Sequence, residues 1–316
     1  MGINKSYIDS FKKVTQRAAL SSSYLVGKND KIAADKAAVD TMRIELNKIN
    51  MKGKIVIGEG ELDEAPMLYI GEELGNNNGP EFDIAVDPLE GTNFAAKNLP
   101  GALSVIAISE KNNLLNAPET YMNKIAVGTN LPKDLVDLDF SIKKNLQNLA
   151  DHNNKQIKDL GICIMDRPRH KKIIEEIQNL GARIKLITDG DVSGALLVSQ
   201  KKYNIDIFIG IGGGPEGILA ATALDAFDCQ FQGRFIFDDD KSINRAKKMG
   251  INDLEKKYSI NEIVTGDSIF CATGITSGDL VEGIKISGDY FTSETLITHK
   301  SSKIKEISKQ KNKIIL

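Results

Sequence analysis

Apolar residues recur at helical spacing in the first fifty positions, and then the period changes. Tyr7, Ile8, Phe11, Val14, Ala18 and Leu25 mark one helix across 4–25. Ala37, Ala38, Met42, Ile44 and Leu46 mark a second across 33–49. Short apolar runs follow over 54–58, 83–87, 103–109, 161–165, 184–188, 205–211 and 268–272, which reads as a series of strands. Helical stretches at 170–180, 191–201 and 217–227 lie between several of them. Strand followed by helix, repeated, predicts an α/β fold. The Asn-rich segment 75–79 reads as a turn and 145–159 as a polar helix or linker. Two α/β units are therefore expected, 1–160 and 161–316, with no internal repeat.

Composition narrows the function classes. A chain of 316 residues, 41% hydrophobic and 27% charged, can bury a large core. The formal charge of −2 sets up no global field for nucleic acid or an acidic membrane. Cys163, Cys229 and Cys271 form no C-x-x-C pair, which argues against a disulfide framework and a cysteine zinc site and fits a reducing cytoplasm. No apolar run reaches 18 residues, so no ordinary membrane span is expected. The start, Met1-Gly-Ile-Asn-Lys-Ser6, matches an acylation pattern formally and reads as a chance match before a helix. Residues 299–316 carry six lysines and one acid, Glu306, but no arginine or aromatic residue for stacking on bases. They read as a solvated terminal strand or helix.

The chemistry concentrates in two acidic loops, each directly after an apolar strand, where α/β folds place their sites. The first is Gly58-Glu-Gly-Glu-Leu-Asp-Glu-Ala-Pro66, with Glu59 and Asp63 among its acids; the second is Asp87-Pro-Leu-Glu-Gly-Thr92. Clustered carboxylates repel one another unless a counter-ion joins them. Asp87 and Glu90 straddle a proline-fixed turn and can reach one ion. Gly91 lets the backbone bend close to a ligand, and Thr92 offers a hydroxyl and an N–H at a helix start. Donors of this kind are hard oxygens, suited to Mg²⁺ or Mn²⁺. His152, His170 and His299 are isolated and read as surface residues. Oxygen-bound divalent ions point to phosphate-ester hydrolysis by an activated water.

These blocks closely resemble the class II, GlpX-type bacterial fructose-1,6-bisphosphatases. The likeness runs from Asp35 through 58–72, 83–92, Asn116-Ala-Pro-Glu-Thr-Tyr121, Arg167-Pro-Arg-His170, Asp189-Gly-Asp191 and Gly210-Ile-Gly-Gly-Gly-Pro-Glu-Gly217 to 272–280. It implies the layered α/β/α/β/α fold of the lithium-sensitive phosphatases, in a cytoplasmic, homo-oligomeric enzyme of gluconeogenesis. That enzyme would release the 1-phosphate of fructose 1,6-bisphosphate with Mn²⁺ or Mg²⁺. The resemblance implies metal ligation by Asp35, Glu59, Asp87, Glu90 and Glu216. It implies substrate contacts from Glu90, Gly91, Thr92, Tyr121, Arg167, Pro168, Arg169, Asp189, Gly190, Asp191 and Gly213. Thr92 with Glu59 or Asp63 would then orient and deprotonate the attacking water.

Residue chemistry is consistent with these roles. Arginines number seven against 34 lysines, and a guanidinium fork suits the second phosphate of a bisphosphate. The plainer alternatives are that Arg167 and Arg169 cap the helix from 170, and that Thr92 and Asp191 merely cap theirs. The family commonly has Lys at 167 and Ala at 214. Between 233 and 250 this chain looks shorter than many relatives, leaving the cover of the site open there.

Two other phosphate readings compete. Gly212-Gly-Gly-Pro-Glu-Gly217 fits G-x-G-x-x-G after a strand, with Asp238 about 20 residues on, as in a dinucleotide-binding oxidoreductase. Against it, Glu216 would stand where a pyrophosphate should lie. Asp87-Pro-Leu-Glu-Gly-Thr92 also resembles the inositol monophosphatase motif, with Glu90 in place of Asp. A sedoheptulose 1,7-bisphosphatase activity beside the first one stays open.

Overall fold

Strand alternation decides how this chain is layered. The computed structural model describes residues 2–58 and 68–314. The chain opens with α1 (Tyr7–Ser23) and α2 (Lys31–Leu46), the latter capped by Asp30, which accepts from Ala33 N at 2.9 Å. Then come β1 (Lys52–Ile57), β2 (Glu73–Leu74), β3 (Glu81–Glu90), α3 (Thr92–Ala96) and β4 (Leu103–Glu110). The middle of the chain supplies β5 (Tyr121–Val127), α4 (Ile142–His152), β6 (Gly161–Met165), α5 (Lys171–Asn179), β7 (Arg183–Ile187) and α6 (Asp191–Leu196). It continues with β8 (Ile207–Gly213), α7 (Gly214–Ala226), β9 (Gln230–Ile236), α8 (Asp240–Lys248), β10 (Tyr258–Ser259) and α9 (Ile260–Ile263). Four strands finish it: β11 (Ser268–Gly274), β12 (Lys285–Ser287), β13 (Tyr290–His299) and β14 (Ile304–Lys313).

Among the described residues, eight strands form one sheet, in the order β12-β13-β11-β4-β3-β1-β2 with β14 along the other side of β13. Six form the second, β10-β9-β5-β8-β6-β7. Most neighbours are antiparallel; β1 is parallel to β3, and β6 is parallel to both β8 and β7. Along β4, Leu103, Val105 and Ala107 face the middle of the molecule, and Ile106 and Ile108 face the α1–α2 layer. Along β5, Met122 and Ala126 face inward, and Ile125 and Val127 face the α4–α5 side. The inner faces of both sheets close on α7, a nearly all-apolar helix. The central strands of each sheet are thus buried on both faces, in the α/β/α/β/α order that the resemblance implies.

The sheets do not divide the chain at residue 160. β5 lies before that point and belongs to the second sheet, and β11 to β14 return from far beyond it to the first. Antiparallel pairing of β11 with β4, Ser268 against Ser109 through Gly274 against Leu103, draws them back and removes two open edges. The lysine-rich tail is β14, paired with β13 over ten residues and carrying lysines on its outer side. Of the three histidines only His152 is exposed. His299 is buried, with Nε2 3.0 Å from Asp267 Oδ2.

Candidate active site

The ends of β3, β6, β7 and β8 open on a cavity of about 1150 Å³ lined from both sheets. Two strand-turn-helix units face each other across it, and they share one construction. After β3 the chain reads Glu90-Gly91-Thr92-Asn93, and after β7 it reads Asp189-Gly190-Asp191-Val192. Gly91 (φ 80°) and Gly190 (φ 81°) are the cap residues of α3 and α6, both left-handed, a region open to glycine without strain. Thr92 and Asp191 are therefore first helical residues and cap nothing. The units are also tied to each other. Glu90 Oε1 accepts from Val192 N at 2.8 Å, and Asp189 Oδ2 accepts from Asn93 N at 3.3 Å and Asn93 Nδ2 at 3.2 Å.

Four acids of the lining lie within electrostatic reach of one another: Asp87, Glu90, Asp191 and Glu216. Burial pushes the Glu90 carboxyl up to about 7, against a hydrogen bond with Asp87 and with added repulsion from Glu216 and Asp191. Burial also raises Glu216, and Lys124 opposes that rise. Asp191 Oδ2 accepts from Lys124 Nζ, and Asp191 Oδ1 is buried without a hydrogen-bond partner. The glycine run explains itself here. A Cβ on Gly212 would overlap the Asp191 carboxylate, and one on Gly213 would overlap that of Glu216. These glycines make room for acids, on the spot where a dinucleotide phosphate would need to lie.

Two arginines line the same cavity. Arg167 donates to Asp189 Oδ1 at 3.4 Å, and Arg169 Nε donates to the Ile211 carbonyl at 2.9 Å. The Arg169 guanidinium also lies 4.9 Å from the centre of the half-exposed Tyr121 ring. Neither arginine caps α5; both line the cavity. His170 holds this segment. Wholly buried, it accepts from Ile211 N at 2.7 Å through Nε2 and pairs with the Met165 carbonyl at 2.7 Å through Nδ1. An amide can only donate, so Nε2 is the acceptor and the proton sits on Nδ1. Burial lowers the affinity of this imidazole for a second proton.

The cavity gathers Asp87, Glu90, Tyr121, Arg167, Arg169, Asp189, Asp191, Gly213 and Glu216, with Gly91, Thr92, Pro168 and Gly190 as their chain neighbours. Asp35 does not line it. It stands on α2 with Oδ1 buried and unpartnered, and burial pushes its carboxyl up to about 6. Glu59 and Asp63 fall outside the described residues. Among the described residues, no three acidic, imidazole or thiol groups converge closely enough to hold an ion by themselves. The acids that could contribute to such a site supply oxygen only, and Asp191 Oδ1 has no hydrogen-bond partner among the described residues.

Sequence reasoning missed three sets of residues. Asn93 ties the two turns. Lys124 pairs with Asp191. Asp238, Asp239, Lys241, Ser242 and Arg245, just before and along α8, line the cavity, so the region of doubtful cover does line the site. A lysine between Met122 and Ala126 on an alternating strand was the available signal for Lys124. Asn93 carries none, because Asp189 lies 96 residues away.

The model of the family described as bacterial fructose-1,6-bisphosphatase, glpX-encoded, matches residues 5–311. The chain belongs to this family, and with it to the phosphatases. Two relatives named D-fructose 1,6-bisphosphatase class 2/sedoheptulose 1,7-bisphosphatase support this bacterial bisphosphatase assignment. The protein of Prochlorococcus marinus (strain MIT 9301) is 42% identical over 309 residues, covering 93% of this chain and 92% of its own length. That of Trichodesmium erythraeum (strain IMS101) is 42% identical over 316 residues, covering 92% and 91%. Among solved structures, extragenic suppressor protein suhB from Bartonella henselae aligns with a TM-score of 0.39 at 11% identity, over 78% of this chain and 92% of its own. Inositol monophosphatase from Anabaena aligns with a TM-score of 0.31 at 12% identity, over 62% and 71%.

Proposed function

We propose that this chain hydrolyses the 1-phosphate of fructose 1,6-bisphosphate, giving fructose 6-phosphate and phosphate, with Mn²⁺ or Mg²⁺ bound. The observation that carries this reading is one cavity whose lining holds both a cluster of carboxylates, Asp87, Glu90, Asp191 and Glu216, and the arginines Arg167 and Arg169 with Tyr121. Oxygen donors at Asp87, Glu90 and Glu216 suit a hard divalent cation, with Glu59 and Asp35 as the further ligands. Such a cation supplies an activated water and offsets charge on the phosphoryl oxygens. Arg167 and Arg169 bind the phosphate that does not react, with Tyr121 stacked beneath Arg169. Asp189 and Asp191, with Gly190 between them, accept from sugar hydroxyls. Thr92 orients the attacking water, and Glu59 or Asp63 takes its proton. Neither a histidine nor a cysteine is placed to form a covalent phosphoenzyme.

The relatives' names favour a second substrate, sedoheptulose 1,7-bisphosphate, in the same cavity. The cytoplasmic setting, the gluconeogenic role and a homo-oligomeric assembly belong to the same proposal. Phosphate release from both bisphosphates and from their monophosphates, with Mn²⁺, with Mg²⁺ and after chelation, tests it. Activity on the bisphosphates that vanishes with EDTA and returns with either ion is expected. Full activity after exhaustive chelation would sink the metal reading, and hydrolysis of monophosphates alone would sink the substrate reading.

A further inference from the structure

Lys124 stands on the inward face of β5, between Met122 and Ala126, with 1% of its side chain exposed. A buried ammonium has to be paired, because the charge has left water. Its Nζ donates to Asp191 Oδ2 and, at 2.6 Å, to the Gly213 carbonyl. The stem is confined as well: a Cβ on Gly217 would come within 3.1 Å of Lys124 Cδ, and one on Gly212 within 3.0 Å of Nζ. Lys12, another buried lysine, is spent on Asp9 of α1, so among the described residues Lys124 is the buried lysine beside the cluster of Asp87, Glu90, Asp191 and Glu216. It does not line the cavity; it lies behind Gly212 and Gly213, which do.

We propose that Lys124 is a positioning residue, a fixed internal counter-ion that anchors Asp191 and limits how strongly the carboxylate cluster attracts a divalent cation. Asp191 carries the argument. One of its oxygens is taken by Lys124, and the other is buried, unpartnered and on a residue that lines the cavity. Anchoring Oδ2 fixes where Oδ1 points. It also keeps the carboxylate from swinging toward Glu90 and Glu216, which already repel it. The ammonium offsets one of the four acidic charges of the cluster, so cation affinity follows the difference between acids and lysine. The inference rests on the divalent-cation reading above.

The test compares Mn²⁺ binding, read as free Mn²⁺ by electron paramagnetic resonance, with steady-state kinetics on fructose 1,6-bisphosphate. Lys124→Met should bind Mn²⁺ more tightly by on the order of a hundredfold, the effect of one unit charge on a divalent ion at roughly 10 Å and an effective dielectric constant of about 20. It should also raise KM for the bisphosphate by about tenfold, because Asp191 loses its anchor. A scaffold residue would weaken both together; the two moving in opposite senses is the signature of a counter-ion. The double variant Lys124→Met/Asp191→Asn removes the pair without stranding a buried charge, and folds where the single variant does not. Its Mn²⁺ affinity should return to within about threefold of the wild type while KM stays high. A folded Lys124→Met that binds Mn²⁺ no more tightly than wild type, or a double variant more than about tenfold weaker, overturns the proposal. A wild-type chain that takes up no Mn²⁺ overturns the divalent-cation reading as well.

Discussion

Asn93 holds Asp189 twice, through its backbone N at 3.3 Å and its side-chain Nδ2 at 3.2 Å, both on the same carboxylate oxygen. The other oxygen of Asp189 takes Arg167, so Asn93 sets the position of an arginine it never touches. Glu90 and Val192 N make the matching bond in the opposite direction. Two turns far apart in sequence are thereby locked as one unit.

Substitution of Asn93 should therefore act on substrate binding. Asn93→Ala removes one of its two bonds, worth about 1 kcal/mol, and should raise KM for the bisphosphate about fivefold with a smaller change in kcat. Asn93→Asp sets two carboxylates against each other and should cost more, about tenfold or greater in KM. Steady-state kinetics read both; a loss confined to kcat would detach Asn93 from the arginine.

Arg169 makes a sharper case. Its guanidinium is fixed by Ile211 O and the Tyr121 ring in the cavity wall. Arg169→Ala should raise KM for the bisphosphate by about 10- to 100-fold, the loss of a charge-assisted bond. It should have little effect on an aryl phosphate, which has no second phosphate to bind. Equal losses on both substrates would mean that Arg169 supports the reacting phosphate or the fold.

Thr92 has no capping duty to lose, since Gly91 is the cap of α3. Thr92→Ser should keep most of kcat, and Thr92→Ala should lose on the order of 10²-fold or more. Mn²⁺ affinity should change little in either. Near-normal turnover in the alanine variant would remove the hydroxyl from the mechanism.

Asp267 governs acid stability. Burial favours its neutral form, but bonds from Ser301 Oγ (2.7 Å), Ser301 N (2.9 Å), Ile3 N (2.7 Å) and His299 outweigh this and hold the carboxyl below its ordinary value. A depressed carboxyl contributes stability above the unfolded value of about 3.9 and loses it as the pH falls through the folded value. Asp267→Asn should cost about 1–3 kcal/mol at pH 7 in urea unfolding. The variant should then lose less stability than the wild type between pH 5 and pH 3. An unchanged pH profile would show that the carboxylate charge is not what ties Ile3 to the β13–β14 turn.

Sequence alone determined the periodic elements and the chemistry. The 3.6-residue period of α1 and α2 and the apolar runs of β1, β3, β4, β6, β7, β8 and β11 are local, because each side chain's face is set by its own backbone. The acids, the arginine pair and the glycines were visible as residue types in order. What tertiary structure decided is which of them meet. β5, β9 and β13 carry polar residues amid their apolar ones, and only their pairing partners make them strands. The burial of His170 and His299, the assignment of both cap positions to glycine, and the Lys124–Asp191 pair depend on contacts between distant segments. Gly212 and Gly213 show the reason most plainly. Their run suggested a phosphate cradle, yet the space in front of them is filled by carboxylates from Asp191, twenty residues earlier, and Glu216, on the next helix. A sequence states what each residue can offer; which neighbour takes up the offer is fixed only when the two sheets close around α7.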